Sequence, residues 1–204
     1  MTQTSATTCG FKRPFRKTVA TFACLVALAA APLPSFAGSL TGTYLLSPAQ
    51  LATGFSVRVL GRGPVTGEFK TVSGKMTLDQ NRPEKSQVVV KVDLRSVHTN
   101  NDKVTGFLKS SAMFDVANHP VATFQSTRVH ITGQNTAEVE GVLNLRGKQK
   151  RTKLSVKITD SKANGQVGFE VSGGFFRSLY GMDAGLPIYA DKVNLEIRGT
   201  GKRS

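Results

Sequence analysis

From Gly38 onward, apolar and polar side chains alternate in short stretches broken by Gly, Asn and Pro. Period-two alternation places one set on each face of a strand. Phe55, Val57 and Val59 alternate with Ser56 and Arg58, and Val88, Val90, Val92 and Leu94 with Val89, Lys91, Asp93 and Arg95. Val139, Leu143 and Leu145 lie opposite Glu138, Glu140, Asn144 and Arg146. Leu154, Val156 and Ile158 alternate with Lys153, Ser155, Lys157 and Thr159, and Val193, Leu195 and Ile197 with Asn194, Glu196 and Arg198. With 44–47, 70–78, 121–129 and 167–177 added, about eight or nine strands are expected.

Only 101–111 has helical spacing, with Val104, Phe107, Leu108 and Ser111 on one side and Asn100 or Asn101 as the cap. Strands do not alternate with helices, which argues against a parallel α/β sheet. Many closely spaced strands predict a sandwich or a barrel. A charged outer face on nearly every strand favours an all-β, closed antiparallel barrel with one short helix, because closure leaves no open edge. A barrel of about eight strands either fills its interior or encloses one small ligand. The inward set is mostly Val, Leu, Ile and Phe, without tryptophan.

The first 37 residues read differently. Lys12, Arg13, Arg16 and Lys17 precede an apolar run over 19–31, and no acidic residue occurs before Glu68. Ser35 and Ala37 then supply the small residues of a secretory cleavage site, predicting a signal peptide over 1–37 cut after Ala37. The apolar run is shorter than the roughly 20 residues a spanning helix needs. Processing leaves a single domain, 38–204, and lowers the net charge from +14 to +10, because four basic and no acidic residues depart. Cys9 and Cys24 depart as well, so the mature chain uses no thiol as nucleophile, metal ligand or disulfide partner. No second apolar segment approaches spanning length, so the expected product is a soluble protein outside the cytoplasm.

Catalysis finds little footing. His98, His119 and His130 are scattered without metal-ligand spacing, so no metal or cofactor is expected. Asp115 and His119 are four apart, but Pro120 makes that stretch a turn. Ser47, Ser73 and Ser96 lack a nucleophile elbow. Glu138 and Glu140 share one strand face, as solvated carboxylates do. Arg146, Lys148, Lys150, Arg151 and Lys153 crowd one predicted hairpin. Such a patch suits an anionic membrane surface or polymer; export and the lack of interleaved aromatics argue against nucleic acid. Lys148, Lys150, Arg151 and Lys153 are therefore the candidate membrane contacts, in an alternative reading as a docking module without internal cargo.

Several stretches carry a family likeness. One is Arg177-Ser178-Leu179-Tyr180-Gly181-Met182, followed by Gly185-Leu186-Pro187-Ile188 and Asp191-Lys192-Val193. A second is Ser96-Val97-His98-Thr99-Asn100-Asn101, continuing through Leu108-Lys109-Ser110, Phe114-Asp115-Val116, His119-Pro120 and Phe124-Gln125-Ser126. A third is Gly141-Val142-Leu143-Asn144-Leu145-Arg146-Gly147, and Phe55-Ser56-Val57-Arg58 with Gly67-Glu68-Phe69 also fits. In this order they resemble the YceI-like family of lipocalin-like, polyisoprenoid-binding periplasmic proteins. The chain departs from that pattern where members carry histidines, reading Gln50-Leu51, Val59-Leu60 and Val104-Thr105-Gly106-Phe107-Leu108.

The resemblance implies a non-catalytic periplasmic protein that holds an isoprenoid or other long-chain lipid in an apolar cavity, for transport, storage or stress protection. Members are often dimeric, so a homodimer enters as a further expectation. The expected lining is Phe55, Val57, Val90, Val92, Phe107, Leu108, Phe114, Phe124, Leu143 and Phe169. Arg177, Ser178 and Tyr180, in the best-matched motif, are the candidate polar contacts, or else they fix the loop that follows them.

Overall fold

The computed structural model describes residues 39–204. The expected signal peptide and its cut after Ala37 lie outside the described residues. Eleven strands and one α-helix follow in the order β1 (Gly42–Leu46), β2 (Leu51–Val59), β3 (Arg62–Phe69), β4 (Val72–Leu78), β5 (Gln87–Asp93), β6 (Val97–His98), α1 (Asp102–Lys109), β7 (Val121–Gly133), β8 (Thr136–Leu145), β9 (Lys148–Ser161), β10 (Gln166–Phe176) and β11 (Tyr189–Arg203).

Every pairing is antiparallel, and eight strands close a ring in the order β1-β4-β5-β7-β8-β9-β10-β11. The seam is short, joining Tyr44 to Arg203 and Leu45 to Lys202. The rest of β11's free edge is taken by β2, from Tyr189↔Val59 to Gly199↔Leu51. β3 then pairs with β2, and β6 with β3. One single-turn 3-10 segment, Pro48–Gln50, separates β1 from β2, and two residues separate β3 from β4. The all-β closed barrel with one helix is thus as expected. The two additional strands are β3, whose Gly63-Pro64 and Gly67 break the alternation, and the two-residue β6. Gly and Pro ordinarily read as turn or edge residues in a strand.

Alternation predicts the faces well. On β9, Leu154, Val156 and Ile158 are half-buried while Lys153, Ser155 and Lys157 are exposed. The helix starts at Asn101, whose Oδ1 accepts from the amides of Lys103 and Val104 at 3.0 and 3.2 Å. Asp102 in its first turn and Lys109 in its last complement the helix dipole. Leu108 is buried, whereas Phe107 is 47% exposed. The helix and the turns after it cap one end of the barrel, where Phe55, Leu94, Val97, Leu108, Phe114, Tyr180 and Met182 form one buried cluster. Tyr44, Leu46, Met76, Val167 and Phe169 form a second cluster.

Candidate ligand cavity

An apolar cavity of about 340 Å³ opens beside α1. Phe55 and Val57 of β2, Val65 of β3, and Val104, Phe107 and Leu108 of α1 line it, together with Met113. Lys103, Arg177, Ala184, Gly185 and Tyr189 complete the wall. A tilted aromatic chain runs inward from it: Phe55 to Phe69 at 5.4 Å between ring centroids, then Phe69 to Phe114 at 5.7 Å.

Arg177 is the most consequential polar residue. It is 2% exposed and lies in a 3-10 turn, Arg177–Tyr180. Nε donates to the Ala190 carbonyl at 3.1 Å, Nη1 to those of Met182 and Ala184 (the latter at 2.9 Å), and Nη2 to that of Tyr189 at 3.0 Å. Four of the five guanidinium N–H groups thereby hold the loop that runs from the turn back into β11. Burial pushes its pKa down, opposed by the nearby Asp191 and Asp183 carboxylates. Asp191 is itself engaged, accepting from the Ser178 amide at 2.8 Å and from Ser178 Oγ at 2.7 Å. Ser178 is thus locked onto β11 by this pair of bonds.

Tyr180 is 1% exposed and meets Phe175 edge-on at 5.5 Å. Its hydroxyl lies 3.5 Å from the Leu143 carbonyl, beyond ordinary hydroxyl hydrogen-bond lengths. Burial pushes its pKa up to about 12. The next residue, Gly181, ends the turn at φ 75°, in the left-handed region, and a Cβ there would sit 3.0 Å from Lys148 Nζ. That explains the glycine in the best-matched motif.

Of the expected lining, the structure brings Phe55, Val57, Phe107 and Leu108 to the cavity, with Arg177 at its wall. Phe114 belongs to the helix-end cluster, against which Val92 and Leu143 pack. Phe169 lies in the second cluster, with Val90 against it, and Phe124 is buried on β7. Sequence reasoning missed Val65, Met113, Ala184 and Tyr189. Val65 sits in the unrecognised β3, Met113 and Ala184 lie in irregular segments, and Tyr189 opens β11 ahead of the register shift that precedes Val193.

The basic hairpin is real but divided. Lys148 and Lys150 lie opposite Leu145 and Leu143, on the sheet face that carries the core, while Arg151 lies opposite Val142 and Lys153 opposite Glu140. Lys153 Nζ bridges Glu138 at 2.9 Å and Glu140 at 3.1 Å, so those carboxylates serve an exposed ion pair. Asp115 accepts from Asn118 Nδ2 at 3.0 and 3.1 Å, and its carbonyl accepts from the His119 amide, forming the expected turn. Among the described residues no group of three or more His, Cys, Asp or Glu side chains is placed to hold a metal ion.

Comparison with known proteins agrees with this architecture. Two curated relatives are UPF0312 proteins. One, from Ectopseudomonas mendocina, is 34% identical over 120 residues, 57% of this chain and 63% of that protein. The other, from Azotobacter vinelandii, is 30% identical over 153 residues, 73% of this chain and 80% of that protein. The chain thus spans less than two thirds of the first relative's length. Among solved structures, Burkholderia cenocepacia BcnA superposes with a TM-score of 0.70 at 20% identity, covering 76% of this chain and 98% of that one. A polyisoprenoid-binding domain from Saccharophagus degradans superposes with a TM-score of 0.63 at 16% identity, covering 80% and 99%. These two likenesses concern the fold. The YceI-like domain matches residues 44–200, and the chain belongs to the YceI-like family.

Proposed function

We propose that this protein is an exported, non-catalytic carrier that holds the apolar tail of an isoprenoid or similar long-chain lipid, starting from the cavity beside α1. The observation that carries this reading is the lining: the apolar side chains of Phe55, Val57, Val65, Val104, Phe107, Leu108 and Met113 around one opening. Each methylene moved there from water contributes about 0.8 kcal/mol, so a flexible tail binds without many polar contacts. The leader-like N-terminus supports a periplasmic setting, where such a tail needs shielding from water. The Saccharophagus relative, described as polyisoprenoid-binding, supports the choice of ligand class.

The volume refines the reading. At roughly 30 Å³ per water-sized group, 340 Å³ holds about eleven such groups, near the lower end of ligand cavities. A longer tail enters only if the side chains between the two buried clusters part. Purification from the native host, organic extraction and mass spectrometry test this. Recovery of a stoichiometric long-chain lipid is expected, with Val65→Trp, which fills the cavity, losing most of it while remaining folded. Lipid-free wild-type protein in repeated preparations, or full lipid content in Val65→Trp, would overturn the proposal.

A further inference from the structure

The β9–β10 ladder runs from Val167↔Ser161 to Gly173↔Leu154 and ends there. Beyond it, β9 continues to Lys148 paired with β8, and β10 continues to Phe176 paired with β11. The two strand ends part around a cleft of about 1060 Å³, crossed by one bond from Thr152 Oγ1 to the Gly174 carbonyl at 3.0 Å. Tyr180, buried and without a good hydroxyl partner, is part of its lining. Phe176 and Leu179, 52% and 48% exposed, stand on its rim.

The rim is also basic. Arg128, Arg151, Lys153 and Lys192 line the cleft, with Glu140 as its one lining carboxylate. Lys153 is held by Glu138 and Glu140, and the Arg128 and Arg151 charges also lower the Glu140 pKa. Arg128, Arg151 and Lys192 form no ion pair among the described residues, leaving four cations against two carboxylates around the opening. Exposed apolar side chains ringed by cations are what a surface needs to rest on anionic headgroups while inserting into the acyl boundary.

We propose that the β9–β10 cleft is the docking face for an anionic lipid bilayer, with Phe176 and Leu179 entering the interface and Arg128, Arg151 and Lys192 meeting the headgroups. The docking face is therefore displaced from the hairpin tip to the outer rim of the cleft. It adds a place of loading to the carrier reading but stands on a different set of residues from the cavity.

The test is vesicle co-sedimentation of the processed chain with phosphatidylcholine vesicles, with and without phosphatidylglycerol. A cation near an anionic surface contributes about fivefold to partitioning, so Arg151→Gln with Lys192→Gln weakens binding about 25-fold. Phe176→Ser with Leu179→Ser removes the binding that survives high salt. Lys75→Gln with Lys91→Gln, the same charge change on β4 and β5, leaves binding within about twofold; thermal unfolding confirms that all variants fold. Equal weakening by the β4–β5 pair, or none by the Arg151 and Lys192 pair, would overturn the proposal. So would wild-type binding to soluble polyphosphate but not to vesicles, which points to an anionic polymer. Lipid extraction on the same samples separates the two ideas: lost docking with retained cargo leaves the carrier reading intact, and docking by lipid-free protein leaves the cleft standing alone.

Discussion

Replacing Arg177 with methionine keeps an unbranched apolar stem in a shorter side chain and removes the whole guanidinium. Four carbonyls, those of Met182, Ala184, Tyr189 and Ala190, then lose their donor. A buried ionic group can often be exchanged for apolar residues without loss when all its partners are exchanged too. Here the partners are backbone atoms and stay behind. At about 1 kcal/mol net per hydrogen bond the four sum to roughly 4 kcal/mol, consistent with the 3–5 kcal/mol range for uncompensated buried groups. For a domain of this size 1 kcal/mol moves the melting temperature by about 2–4 °C, so a fall of about 8–16 °C is expected. Arg177→Lys offers donors on a single nitrogen rather than a planar fork and recovers less than half. Urea and thermal denaturation of the processed chain, with lipid content measured alongside, read the result. A methionine variant within about 1 kcal/mol of wild type would refute the tethering role. Lost lipid at unchanged stability would assign Arg177 to the headgroup instead.

Three further outcomes follow from particular atoms. Burial pushes the Tyr180 pKa from 10.0 up to about 12, so between those values the folded state keeps a proton that the unfolded state releases, and stability falls as pH rises through that window; urea titrations across it show the loss, and Tyr180→Phe removes it. At Gly141, a Cβ would lie 2.4 Å from Phe124 Cζ and 2.6 Å from the Gln125 carbonyl, so Gly141→Ala costs about 1–3 kcal/mol by chemical denaturation. Thr53 is buried with its hydroxyl unpartnered, so Thr53→Val raises stability by about 1 kcal/mol; a loss in the same assay shows that the hydroxyl has a partner.

Legibility from the sequence followed the physics of each element. Strands such as β5 and β9, regular and half-buried, announce themselves through alternation because a two-residue period leaves no choice of face. β3 did not, since Gly63, Pro64 and Gly67 remove side chains or donors from the repeat. The cavity was half visible: Phe55, Val57, Phe107 and Leu108 come from periodic segments, while Met113 and Ala184 reach it from irregular ones and Tyr189 from the start of β11, before its register shift. The Arg177 motif was visible as a motif, but its choice between loop tether and ligand contact depended on where four carbonyls lie.

What the sequence alone determined is which residues face in, where the helix starts, and the family likeness in the Arg177–Met182 stretch; side-chain chemistry and spacing suffice for these. Only the tertiary structure decided how the barrel closes, with β11 shared between β1 and β2, and where it opens, with β9 and β10 parting beyond Gly173. Strand pairing is made by backbone groups that every non-proline residue carries alike, so the end of a ladder leaves little mark on composition. The division of the basic hairpin has the same origin. Five cations close in sequence become an inner-face pair, an ion-paired lysine, an arginine bound to the Gly181 and Ser111 carbonyls, and one arginine beside the cleft, because register assigns each to a face.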